Sequence, residues 1–186
     1  MSRASASSRG WKIAAQLLQF FPLACFLFAA FRRGTPQLED WLIAFMVGGA
    51  AAAIQVVVAL ALARGGALNR LVLGANAYLA VGGLAALAGQ MWLLQALNGL
   101  RESGLFLCVV AVGAVTTFGS KAGFVGQEDR SGRSRTMRYS LGLLALAALA
   151  AVPSFCLRGQ LLYSAVIPLT LLSIAQRWLA GRLQRA

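Results

Sequence analysis

The chain is dominated by uninterrupted apolar runs, most of them close to twenty residues long: Ile13 to Phe31, Trp41 to Ala63, Leu71 to Leu97, Leu105 to Gly119, Leu141 to Leu157 and Leu161 to Ala180. An α-helix rises about 1.5 Å per residue, so roughly 20 residues cross the ~30 Å hydrocarbon layer of a bilayer. Strands of a membrane barrel would alternate apolar and polar residues over about ten positions, whereas these runs are continuous. Lipid offers the backbone no hydrogen-bond partner, so a continuous apolar run must satisfy its own N–H and C=O groups as a helix. Hydrophobic residues make up 59% of the 186 positions and charged residues 12%; soluble domains carry about 25% charged. A water-soluble domain is excluded. The expectation is an all-α polytopic membrane protein with six transmembrane helices: a tail over 1–12, a transmembrane domain over 13–180 and a second tail over 181–186.

Seventeen Lys and Arg face five Asp and Glu, with no His, for a net charge of +12. On a soluble surface that excess would suggest nucleic acid. Here the basic residues sit between or at the ends of the apolar runs, where they act as topology signals, and no nucleic-acid partner is expected. With the N-terminus in the cytoplasm, 13 of the 17 fall inside: Arg3, Arg9, Lys12, Arg64, Arg70, Lys121, Arg130, Arg133, Arg135, Arg138, Arg177, Arg182 and Arg185. Only Arg32, Arg33, Arg101 and Arg158 fall outside, so the positive-inside rule predicts both termini in the cytoplasm. Trp11 and Trp178 then lie at the inner interface and Trp41 and Trp92 near the outer one. The first run is too long for a secretory h-region of about 7–15 residues and ends on Arg32-Arg33, so it reads as an uncleaved span.

All five acidic residues, Glu39, Asp40, Glu102, Glu128 and Asp129, lie in connectors or at run boundaries. Proton-coupled carriers place a titratable group in the pathway at mid-membrane, and no such residue occurs here, so proton coupling is not expected. Paired-carboxylate and zinc chemistry lack their residues for the same reason. Ser120 and Lys121 are the only adjacent Ser–Lys pair, and neighbours on a helix diverge by about 100°, which argues against a nucleophile–base dyad. Cys25, Cys108 and Cys156 fall in three different runs and read as buried thiols. No enzyme, metal or cofactor is expected. Lys121, near a cytoplasmic helix end, has a snorkelling reading and a lipid-headgroup reading. Arg130, Arg133, Arg135 and Arg138 crowd a basic connector, Gln127 to Arg138, expected as a solvated loop where anionic lipid adds about 1 kcal/mol per arginine.

The third run has the most pattern. Asn69, Asn76, Gly83 and Gln90 recur every seventh residue along one helical face, flanked by Gly82, Ala86 and Gly89. Amides cannot be left facing lipid and small residues admit another backbone, so this face is expected against protein, with Ala85 on the far side. Helix packing and the lining of a small pathway are both compatible with it. Gly48-Gly49 with Ala52-Ala53, and the GxxxG spacing from Gly119 to Gly123, are further small-residue surfaces. Pro153 and Pro168 are candidate kinks, with Ser154, Ser164 and Thr170 near enough to satisfy freed carbonyls.

Gln16-Leu17-Leu18-Gln19-Phe20-Phe21-Pro22-Leu23, the basic link Arg64 to Arg70, Gly82-Gly83-Leu84 and Leu100-Arg101-Glu102-Ser103-Gly104 occur in this order. Over about Gln16 to Phe118 the chain resembles the septation protein A-like family of bacterial inner-membrane proteins. The resemblance implies a multi-pass inner-membrane protein linked to cell division and envelope maintenance, with no catalytic residues to carry over. The functional expectation is therefore a non-enzymatic role through helix–helix contacts. Its partners would be other membrane proteins or further copies of the chain, within a bilayer containing anionic lipid. The alternative is a small uncoupled carrier or channel.

Overall fold

The computed structural model describes residues 19–34, 36–62, 69–127, 133–157, 160 and 162–184. Among them every regular element is helical: α1 (Phe21–Phe31), α2 (Leu38–Leu62), α3 (Arg70–Leu87), α4 (Met91–Leu100), α5 (Glu102–Gly119), α6 (Arg133–Cys156) and α7 (Ile167–Gln184). A π-helical turn over Leu162–Val166 leads into α7. Helices α2, α3, α5 and α6 are long and apolar enough to cross a membrane. The outward surface is apolar too, with Phe28 80%, Val115 71% and Leu149 65% exposed. Such a surface suits lipid, where burying these side chains gains nothing further.

Local chemistry sets the helix ends. Pro22 occupies the first turn of α1, where its missing N–H costs no hydrogen bond. Asp40 in the first turn of α2 accepts from the Gln37 N–H at 3.2 Å, and with Glu39 it puts negative charge on that N-terminus. Asn69 caps α3, its Oδ1 accepting from the Leu71 N–H at 3.1 Å.

The helices pack in chain order, α1 on α2, α2 on α3, α3 on α5, α5 on α6 and α6 on α7. Helix α3 lies deepest among the four long helices, with 56% of its span buried against 22% for α6. Its seams are cut by glycine. Phe26 fills the notch at Gly48, Phe45 the notch at Gly82 and Tyr78 the notch at Gly104; an added Cβ would stand 2.8 Å from Phe26 and 2.8 Å from Tyr78, and would overlap the Phe45 ring. The same aromatics join Trp41 in one cluster across α1, α2 and α3, with ring centroids 4.9 to 6.3 Å apart. Gly49 and Gly83 then bring the α2 and α3 backbones together.

Several expectations are corrected. The third run is two helices: Gly89, at φ +63°, ends α3 in a Schellman turn, with Gly89 N–H on the Ala86 carbonyl and Gln90 N–H on that of Ala85. The basic connector closes within α6, which starts at Arg133, so Arg133, Arg135 and Arg138 are helical; Arg130 lies outside the described residues. The GxxxG spacing is not a helix face, because α5 ends at Gly119 and Gly123 sits beyond it at φ +53°. That turn folds inward: Phe124 and Val125 are buried, and the Val125 carbonyl accepts from Gln176 Nε2 of α7 at 3.4 Å. Ala85 is buried, so α3 has protein on that side too. Residues 13–18 of the expected first span lie outside the described set, and α7, carrying Arg177 and Arg182, is not among the four long apolar helices.

Pro168 is served by serine. Pro168 has no N–H to return to the Ser164 carbonyl, and that carbonyl accepts the Ser154 hydroxyl, which also reaches the Ala150 carbonyl at 3.1 Å. Ser103 of α5 donates to the Ser154 carbonyl at 3.2 Å, so α5, α6 and the π turn meet at one buried polar point.

Candidate functional site

The two ends of the bundle differ in charge. One gathers Lys121, Arg133, Arg135, Arg138, Arg177 and Arg182, all exposed, with no described acid beside them. The other holds both signs: Arg32, Arg33, Glu39, Asp40, Arg101 and Glu102. There Asp40, 4% exposed, lies 3.9 Å from Arg32 Nε and 4.0 Å from Arg33 Nη1.

At this mixed end α1 and α7, the outermost helices in the packing order, face each other across a half-open cavity of about 270 Å³. Phe20, Leu23, Ala24 and Leu27 supply one wall, a stripe at helical spacing along α1. Trp41, Tyr78 and Leu105 supply the floor from α2, α3 and α5, and Ala165 and Val166 of the π turn with Leu169 and Thr170 of α7 line the opposite side. The charged members are Arg101 and Glu102, where α4 turns into α5.

That turn is strained. Arg101 is the only described non-glycine residue with positive φ, at +47°. Such a conformation costs on the order of 1–3 kcal/mol and persists only where its surroundings hold it. Here the Arg101 N–H donates to the Leu97 carbonyl at 2.8 Å, and the Arg101 carbonyl accepts from both the Gly104 N–H at 3.2 Å and the Tyr78 hydroxyl at 3.3 Å. The strain sets Glu102 at the first position of α5, where the helix dipole favours a carboxylate. Oε2 of Glu102 is buried without a hydrogen-bond partner.

Of the residues singled out from sequence, Asn76 is buried and donates from Nδ2 to Gln55 Oε1 of α2 at 2.7 Å. Gly83 lies on the same seam, where an added Cβ would stand 3.0 Å from the Phe45 carbonyl oxygen and 3.1 Å from Gly49 Cα. Gln90 departs from that face. It is exposed at the start of α4 and accepts from Trp92 Nε1 at 2.8 Å, because the Gly89 turn breaks the seven-residue register before reaching it. Lys121 is exposed in the turn after α5, and Ser120 beside it is extended rather than helical. Arg133 donates to the Phe118 carbonyl at 3.1 Å, placing a cation at the negative end of α5. Arg135 and Arg138 are exposed on the first turns of α6. Gln55 and Tyr78 were not marked by the sequence, and Arg101 and Glu102 were marked only as boundary charges. Gln55 is the only amide within the second run, and that isolation is the one signal that it needs a polar partner.

Among the described residues no three His, Cys, Asp or Glu gather where they could hold a metal ion, and the three cysteines are free. No family model, curated protein or solved structure matches the chain.

Proposed function

We propose that this chain is a six-crossing protein of a bacterial inner membrane, with both termini and the Lys121–Arg138 region in the cytoplasm. It serves envelope maintenance or cell division without catalysis, through helix–helix contacts. The segregation of charge between the two ends carries the topological part. Among the described residues one end holds only cations while the other holds a mixed set, and Lys and Arg dominate the cytoplasmic side even with Glu128 and Asp129 counted there. Six crossings follow when α4 and α5 are counted as one bent limb and α1 and α7 are each counted as a span.

The outer face of α6 supports the contact role. Gly142, Ala145 and Ala148 are exposed on it, with nothing within 4 Å of the position a Cβ would take at Gly142, so another helix can approach closely. Basic residues at the cytoplasmic end supply attraction for anionic lipid, about 1 kcal/mol each. The experiment is genetic and biochemical together. Loss of the protein should give a division or envelope defect that wild type rescues and Gly142→Leu, equally abundant in the membrane, does not. Full rescue by Gly142→Leu contradicts contact through α6.

The second reading, an uncoupled carrier, draws on the cavity at the mixed end. Solute flux through the purified protein in proteoliposomes, insensitive to a pH gradient, would favour it over the first.

A further inference from the structure

The cavity between α1, α3, α5 and α7 is apolar apart from one place on its rim. Its two hydroxyls are committed within the protein, Tyr78 to the Arg101 carbonyl and Thr170 to the Val166 carbonyl at 2.7 Å. Glu102 is different. Oε2 is buried without a hydrogen bond, and no described cation lies within ion-pair distance of the carboxylate. A carboxylate with one oxygen buried and unmet is poorly solvated, so a ligand that brings a donor to its accessible side gains more than one binding a fully solvated acid. Arg101, the next residue, is exposed and belongs to the same rim. The rim therefore presents an anion and a cation side by side above an apolar chamber.

We propose that this cavity holds a zwitterionic phospholipid of the phosphatidylethanolamine type. One alkyl chain lies among Leu23, Leu27, Leu105 and Leu169, with the ammonium group on Glu102 and the phosphate on Arg101. The inference rests on the reading that the bundle lies in a bilayer with its mixed end at a headgroup layer. The chamber volume, about 270 Å³, lies at the lower edge of small-molecule pockets and suits one flexible chain rather than a ring system. Charge complementarity selects the headgroup. An anionic lipid can meet Arg101, but it leaves Glu102 unmet and sets its own negative charge beside that carboxylate. The strained backbone at Arg101 also gains a purpose, because it turns the chain so that two adjacent residues share one rim.

The test places the full-length protein in nanodiscs of equimolar phosphatidylethanolamine and phosphatidylglycerol and weighs the ejected protein with its retained lipid by native mass spectrometry. The expected result is about a tenfold excess of retained phosphatidylethanolamine, the value of one charge-assisted hydrogen bond. Glu102→Gln should bring the ratio near parity, and Ala165→Phe, which fills the chamber, should remove both lipids. Parity or a phosphatidylglycerol preference in wild type overturns the assignment. A second readout needs no variant: phosphatidylethanolamine with a photoreactive acyl chain should label the peptides containing Leu23–Leu27 and Leu105. Labelling confined to Phe28, Val115 and Leu149 overturns the cavity assignment while leaving the membrane reading intact. A chain that does not enter the nanodisc at all overturns both.

Discussion

Replacing Gly49 by alanine adds one methyl group at the closest approach of α2 and α3. The new Cβ would stand 2.9 Å from Gly83 Cα and 2.9 Å from the Leu79 carbonyl oxygen, 0.5 Å short of the 3.4 Å at which ordinary contact begins. Both obstacles are backbone, so no side-chain rotation relieves the clash and the helices must part. A gap of about 0.5–1 Å forfeits a quarter to a half of each dispersion contact it opens. The seam that opens also carries the Asn76–Gln55 bond and the Phe45 ring over Gly82. The cost is that of overpacking, about 1–3 kcal/mol. For a chain of this size that is a fall in Tm of roughly 3–10 °C, read by differential scanning fluorimetry in detergent. Gly83→Leu should fall further, since its side chain meets the Phe45 carbonyl and Gly49 Cα. Ala50→Leu is the control, because Ala50 is exposed on the same helix. Ala85, the far-side control suggested by helical geometry alone, is buried and unsuitable. Equal Tm values for Gly49→Ala and wild type would refute backbone contact at this seam.

Asn76→Leu and Gln55→Leu in a double-mutant cycle should show a coupling of about 0.6–2 kcal/mol, and additivity would mean that the amides do not bond to each other. Ser154→Ala strips the Ser164 carbonyl of the hydroxyl that replaces the N–H missing from Pro168, at about 1–3 kcal/mol; adding Pro168→Ala should return part of that stability, and no return contradicts the account. Arg101→Gly removes the positive-φ strain and should raise thermal stability by about 1 kcal/mol while lowering retention of both phospholipids and leaving the phosphatidylethanolamine excess set by Glu102 in place. A lower Tm in that variant would show that the strain is not stored at Arg101.

Most of the helices were legible because lipid leaves the backbone one solution, and a continuous apolar run states it. The breaks were harder. Gly89 ends α3, yet Ala-Leu-Ala before it and Met-Trp-Leu-Leu after Gln90 keep the run apolar, so composition hides a turn that only the left-handed backbone reveals. The start of α6 was concealed in the opposite way. Arg133 to Arg138 look solvated and oppose the helix dipole, but they form regular turns because the apolar residues that follow hold the helix in place. Asn76 and Gly83 were found by periodicity, while Gln55, the partner of Asn76, carries no pattern of its own. The cavity could not be read at all, since its walls come from segments near residues 23, 78, 105 and 169 that only the folded bundle brings to face one another. Arg101 and Glu102 looked like ordinary connector charges until the strained turn put them on a common rim.

In the proposed topology the two charged ends of the bundle face opposite sides of the membrane. Alkaline phosphatase and green fluorescent protein, fused in parallel after Arg185, within 128–132 and at Thr35, measure this orientation in living cells. Six crossings with cytoplasmic termini predict fluorescence without phosphatase activity at the first two sites and phosphatase activity without fluorescence at Thr35. Phosphatase activity from the fusion after Arg185 would contradict the six-crossing topology, and with it the placement of the cavity at the outer leaflet.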